Sequence, residues 1–409
     1  MYTELPGLSP AELWNPDPRS LPDWRIEVRE YLGRRHARIR LAQELARRGS
    51  RYTPHLPGPD GAGEGARILL DEECRRLTDA RLYFADEDTS ALSAAVAATP
   101  PGEAVTAERP PSPSGLMVFA SPLGTYRLDV TRLRDIRPGA GAPVVVRVPI
   151  VAAAWSRWSP LDRRREHGPL TWTHRTEQGE QRRLPPGEYL WLTFYSTQCL
   201  GFENLPADTR IGADHRTGRP ITAGDQVELA RAQAPVLNRV DAMALPLGAR
   251  LAAAQPSSAH HWSQVVYTAW QLMQHDGTRG WTETQPLRRA APDRGRDRCA
   301  GLRPQRQTVH LVRLQAGHRS TPEAAARDRA EADPATPTRY THRWPVPPYR
   351  RPNACWNTAI HTDDPATRPC KHAEQIVKGS IRGPAHLPLQ HRGGPVHLWA
   401  LPKQHPNTP

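Results

Sequence analysis

Glu188-Tyr189-Leu190-Trp191-Leu192-Thr193-Phe194-Tyr195-Ser196 alternates aromatic with small or polar residues, the pattern of a β-strand. Val144 to Ala154 reads as a second strand, rich in β-branched residues and apolar enough to be buried on both faces. Gly115-Leu116-Met117-Val118-Phe119 precedes both and reads as the first strand of the sheet. Further strand character lies at 308–314, 339–346 and 396–401. A sheet of about six strands is therefore expected. Val118, Val145, Ile150, Leu192, Phe194, Val266 and Leu311 are its candidate core.

Helical periodicity frames this sheet. Residues 22–48 read as one basic amphipathic helix, with Val28, Leu32, Ile39, Ala42 and Ala46 on its apolar stripe. Such a helix packs on a core, on a membrane surface or on nucleic acid. Residues 53–66, with Gly61, Gly63 and Gly65 in alternation, read as a flexible connection. A second helix is expected at 67–84, with Leu70, Cys74, Leu77 and Phe84 on one face. A third is expected at 89–98, capped by Asp88, with Leu92, Ala95 and Val96 turned inward. A fourth spans 259–275, capped by Ser258 and ended by Gly277. The fold class that follows is α+β, with N-terminal helices packed on a mixed sheet. Its organisation is a helical region at 1–105, a mixed α/β core at 106–278, an arginine-rich linker at 279–306, and a basic region at 307–409 that completes the sheet.

Composition narrows the function classes. The chain has 409 residues, of which 44 are proline and five cysteine. The odd, scattered cysteines argue against a disulfide framework and for a reducing compartment. No apolar run reaches the length of a membrane span and no secretory signal is visible, so a cytoplasmic protein is expected. Of the basic side chains only Lys371, Lys378 and Lys403 are lysine, a bias that reflects codon usage as readily as function. Position is more informative. Residues 1–280 hold 34 Lys+Arg against 32 Asp+Glu, whereas residues 281–409 hold 21 against 10. That asymmetry favours an anionic partner for the C-terminal part, beside the alternative of a merely solvated basic surface.

Chemical motifs are sparse. The glycines at 61–65 lack the preceding strand and the spacing of a phosphate loop. Asp86-Glu87-Asp88 suits a helix start, where carboxylates meet the positive end of the dipole. Cys355, His361, Cys370 and His372 lie close together, but their spacing is poor for structural zinc, and no metal or other cofactor is expected. His261 and His275 are too far apart along their helix to share an ion. No Gly-x-Ser-x-Gly elbow occurs, and Cys199 reads as a buried cysteine, so no catalytic residue is assigned.

The basic, aromatic-interleaved C-terminal region is the remaining candidate. Arg339, Arg343, Trp344, Tyr349, Arg350, Arg351, Lys378 and Arg382 are its candidate nucleic-acid contacts. Arginines hold phosphates while aromatic rings stack on unpaired bases. The same residues also fit an aromatic face packed on a core with solvated arginines.

Several segments together resemble a family of uncharacterised actinobacterial proteins encoded on phage, plasmid or integrated elements. They are Pro113-Ser114-Gly115-Leu116-Met117-Val118-Phe119, Val148-Pro149-Ile150-Val151 with Trp155, and Trp191-Leu192-Thr193-Phe194-Tyr195. Tyr340-Thr341-His342-Arg343-Trp344-Pro345-Val346 and Lys378-Gly379-Ser380-Ile381-Arg382-Gly383-Pro384 extend the likeness. The family pattern places Gly-His-Trp-Arg after Arg-Trp-x-Val; here the stretch is Pro347-Pro348-Tyr349-Arg350-Arg351. The C-terminal part is similar, more weakly, to an anti-CRISPR family directed at type V effectors. Charge and resemblance together lead to an expected non-enzymatic nucleic-acid-associated accessory protein of a mobile element. A protein-interaction module binding an acidic protein or a ribonucleoprotein is the alternative, and an enzyme with an unfamiliar site the third reading.

Overall fold

The computed structural model describes residues 3–4, 14–48, 52–56, 60–99, 103–130, 136–137, 144–162, 170–175, 180–214, 216–252, 254–274, 281–299 and 303–315. It also describes four short strands at 344–346, 349–351, 375–377 and 380–382. The chain divides into two compact units, Met1–Gln315 and Ala316–Pro409.

The strands of the first unit are β1 (Thr3–Glu4), β2 (Tyr52–Pro54), β3 (Arg81–Ala85), β4 (Ser114–Phe119), β5 (Gly124–Asp129), β6 (Ile136–Arg137), β7 (Val144–Trp158), β8 (Trp172–Arg175), β9 (Gln181–Arg183), β10 (Tyr189–Thr197), β11 (Arg210–Asp214), β12 (Pro220–Thr222), β13 (Leu237–Pro246), β14 (Thr282–Leu287) and β15 (Val309–Leu314). Its helices are α1 (Leu21–Gly33), α2 (Arg35–Arg48), α3 (Gly61–Asp79), α4 (Glu87–Ala97), α5 (Ala223–Gln233), α6 (Ala259–Gln274) and α7 (Ala291–Cys299), with short 3-10 turns at Pro18–Ser20, Phe202–Asn204 and Pro304–Gln307.

The protein is α+β. Its main sheet is nine-stranded and runs β13-β10-β7-β4-β3-β15-β14, with β1 and β5 also on β7. It is mixed: β3 is parallel to both β4 and β15, while β4–β7, β7–β10, β10–β13 and β14–β15 are antiparallel. The long β7 organises it. One edge of β7 pairs β4 over Ala152–Ser156 and β5 over Val145–Ile150, and the other pairs β10.

Helices cover both faces of the sheet. Thr193 and Tyr195 bond to α3 on one side, while Phe194 meets Trp262 of α6 on the other. All the side chains from Tyr189 to Ser196 are consequently buried, the aromatic and the small or polar ones alike. The seven candidate core residues are all buried. Gly115 is required at its place because the Trp155 indole, directly opposite on β7, occupies the space a Cβ would take.

Several local expectations are corrected. The helix expected at 22–48 is two helices, because Arg34 is extended and resets the helical phase. Ala37, Leu41 and Leu45 then face the core, while Ile39 is exposed. The expected flexible connection at 53–66 instead holds β2 and the first turns of α3, including all three glycines. The second helix ends at Asp79, and Phe84 lies on β3 between two parallel neighbours. Asp86, not Asp88, caps the third helix, accepting a bond from the Thr89 N–H, and Ala95 and Val96 are only half-buried. Ser258 does cap α6, at 3.3 Å from the His261 N–H; Gly277 and His275 lie outside the described residues.

The largest correction concerns 279–306. It is not a linker: β14 forms one end of the main sheet, and α7 and a 3-10 turn lead into β15. Residues 279 and 280 lie outside the described residues. In the second unit, β16 (Trp344–Val346) pairs β19 (Ser380–Arg382), and β17 (Tyr349–Arg351) pairs β18 (Gln375–Val377), both antiparallel. The strand expected at 396–401 and the residues 339–343 lie outside the described residues.

Candidate nucleic-acid interface

Residues 281–315 carry eight arginines against three acidic residues, and their folded arrangement sorts those charges into two kinds. The first kind is buried and neutralised. Arg289, between β14 and α7, sends two parallel bonds to the Asp23 carboxylate on α1, at 2.8 and 3.0 Å. Its Nε lies 2.9 Å from Asp297 of α7. Burial alone would lower the Arg289 pKa, but the bonds and charge of Asp23, then Asp297 and Asp293, outweigh it and raise it. Arg306 is half-exposed but also engaged: it bonds the Thr78 carbonyl at 2.7 Å and pairs with Asp79 at the end of α3. Arg25 bonds the Ala80 carbonyl at 3.0 Å. Burial, with Arg29, Arg306 and Arg289 nearby and Asp297 opposing, pushes it down to about 10. Arginines are thus crowded at this end of the sheet.

The second kind faces solvent. Arg288 and Arg19 are exposed, and neither is in an ion pair with a described residue. Both line an open cleft of about 300 Å³, together with Leu287, Arg289, Ala290, Asp293 and Val309. The cleft lies where β14 hands over to α7, beside the 3-10 turn that carries Arg19. Its two exposed cations and the positive end of a helix dipole, set against the single carboxylate of Asp293, suit an anionic ligand, to which Leu287 and Ala290 offer apolar surface.

A polar cluster of different character lies between α3 and β10. Glu73 accepts bonds from the Tyr195 hydroxyl, from Thr193 Oγ1 at 2.6 Å and from Arg76 at 3.2 Å. Arg76 also lies 3.6 Å from Glu72 and stacks 4.7 Å over the Trp191 ring, and Trp191 Nε1 bonds Thr193 Oγ1 at 3.2 Å. Glu73, Arg76, Trp191, Thr193 and Tyr195 are each at most 3% exposed. Burial, then the Glu73 charge, holds the Tyr195 phenol well above its usual range. A carboxylate, a phenol and a guanidinium would be a reactive set in a cleft. Shut from water they instead fix α3 to the sheet.

Other sites weighed from the sequence fare as follows. Cys199 is buried, and burial, then Glu203, pushes its thiol up to about 11, which keeps it protonated at neutral pH. Among the described residues no group of three or more His, Cys, Asp or Glu side chains could hold a metal ion; Cys355, His361, Cys370 and His372 lie outside them. Of the expected C-terminal contacts, Arg339, Arg343 and Lys378 also lie outside. The backbone pairs Trp344 with Arg382, and sets Tyr349, Arg350 and Arg351 opposite Val377, Ile376 and Gln375. Sequence reasoning missed the cleft because Arg19 is 269 positions from Arg288. The Arg288-Arg289 pair before Ala290-Ala291-Pro292 was its one local sign, since proline favours a first helical turn. No helix of the described residues is long and apolar enough to cross a membrane. No family model, curated protein or solved structure matches this chain.

Proposed function

We propose that this chain is a non-enzymatic, nucleic-acid-associated accessory protein, of the mobile-element kind its motifs resemble. The observation that carries the reading is the charge of residues 281–409 together with the arginine-lined cleft among the described residues. Arg19 and Arg288 are available to phosphates, whereas Arg25, Arg289 and Arg306 hold the surface on which they stand. The basic second unit, with 13 Lys+Arg against seven Asp+Glu, supplies further cations.

The test is binding to single- and double-stranded DNA and RNA across a salt series. With roughly four to six phosphate contacts on a single strand, at about 0.7 per contact, the log–log slope lies near −3 to −4. Retention of acidic proteins in preference to nucleic acid would instead favour the protein-interaction module. Absence of nucleic-acid binding at low salt overturns the proposal.

A further inference from the structure

We infer that the cleft at the start of α7 seats one unpaired nucleotide, its phosphate between Arg19 and Arg288 and its ring against Leu287 and Ala290. The inference rests on the nucleic-acid reading and narrows it from charge-steered contact to a discrete seat.

Size is the first argument. About 300 Å³ lies at the lower end of small-molecule pockets, roughly 300–1,000 Å³, and admits a nucleotide but no duplex. Lining chemistry is the second. Leu287 and Ala290 offer apolar surface, Arg19 and Arg288 are exposed and in no ion pair with a described residue, and Asp293 is the one carboxylate in the lining, a balance that suits a group with an apolar and an anionic part. Arginine presents a planar fork that fits phosphate oxygens.

Rigidity is the third argument. Arg289 anchors the connection to both Asp23 and Asp297, so Arg288 projects from a fixed point. Arg29, Arg306 and Arg289 each act on Arg25 as like charges, so positive charge is gathered around Arg289.

The experiment is calorimetric titration of the full chain with five probes: nucleoside 5′-monophosphates, the unphosphorylated nucleosides, inorganic phosphate, a ten-nucleotide single strand and its duplex. Monophosphates should bind at least ten times tighter than nucleosides or phosphate, and the single strand, not the duplex, should compete with them. Arg19→Ala with Arg288→Ala should weaken monophosphate binding about 10- to 100-fold, since both arginines are exposed and each bond to a charged group is lost. Ala290→Trp fills the cleft without changing charge and should lose monophosphate binding with an unaltered melting temperature. Parent-like binding by Ala290→Trp, or phosphate binding as tightly as monophosphates, overturns the seat. Single-strand binding by a parent that ignores monophosphates overturns the seat alone. If the strand does not bind either, the proposed function falls with it.

Discussion

The Tyr195 hydroxyl donates a hydrogen bond to Glu73, joining β10 to α3 across 122 residues of sequence. The bond belongs to a network in which removing one member strands another in a dry interior. Glu73→Ala leaves Arg76 buried without its nearest charge partner and should cost about 3–5 kcal/mol. Tyr195→Phe, which removes one donor to a charged acceptor, should cost about 1.5–3 kcal/mol. Urea unfolding midpoints read both.

The same phenol gives a pH signature. Its folded pKa lies above the unfolded value of about 10. Between the two the folded state holds a proton that the unfolded state has lost, so stability is full below about pH 10 and falls as pH rises. Tyr195→Phe should flatten that alkaline decline relative to the parent. Unfolding free energies from pH 8 to 11 compare the two proteins, and parallel curves would contradict the assignment.

Core packing predicts two further losses. Phe194→Ala opens a cavity beside Trp262 and should cost about 3–5 kcal/mol. Gly115→Ala drives a methyl into the Trp155 ring and should cost about 1–3 kcal/mol or more by overpacking. Thermal melts would show both, and a parent-like melt for Gly115→Ala would refute the close approach.

Arg289 is predicted to hold α7 in place. Arg289→Ala strands Asp297, which is nearly buried, whereas its Asp23 partner is exposed and counts for little. A loss of about 3 kcal/mol is expected from the buried arm, recovered in part by Asp297→Asn. Faster proteolysis within 288–303 is the direct readout.

For the second unit, changing Arg343, Arg350 and Arg351 to Ala together should flatten the salt slope by about two units if all three touch phosphate. Trp344→Ala should cost about 1–3 kcal/mol of binding at an unchanged slope if the ring stacks on a base. A loss of fold stability in its place would assign Trp344 to a core.

The inner strands and α6 were legible because apolar runs such as Leu116–Phe119 and Leu190–Tyr195 need no partner to declare themselves. The remainder depended on distant chain. Leu70, Cys74, Leu77 and Phe84 keep helical spacing, yet Phe84 is a strand residue because β4 and β15 bracket it. Gly61, Gly63 and Gly65 suggest a loop by propensity, but Gly65 and Ala66 are buried in a helix that packs on α2 and β2, and that packing outweighs propensity. Thr282–Leu287 is exposed at Glu283–Pro286 and shows no apolar period, because a terminal strand of a sheet takes its order from the neighbour it pairs with. The cleft was illegible for the same reason: Arg289 finds Asp23 at a separation of 266 residues.

The place of β15, between β3 and β14, sets a timetable for synthesis. Thr89 Oγ1, in the first turn of α4, bonds the Val312 carbonyl 223 residues later. At roughly 5–20 residues per second, a ribosome takes on the order of 10–45 s to deliver that partner. Throughout that interval the edge of β3 that β15 will cover has no permanent neighbour, and an uncovered strand edge is a template for aggregation. Aggregation during translation is therefore expected to start at that edge, and truncation before residue 309 removes the strand that covers it.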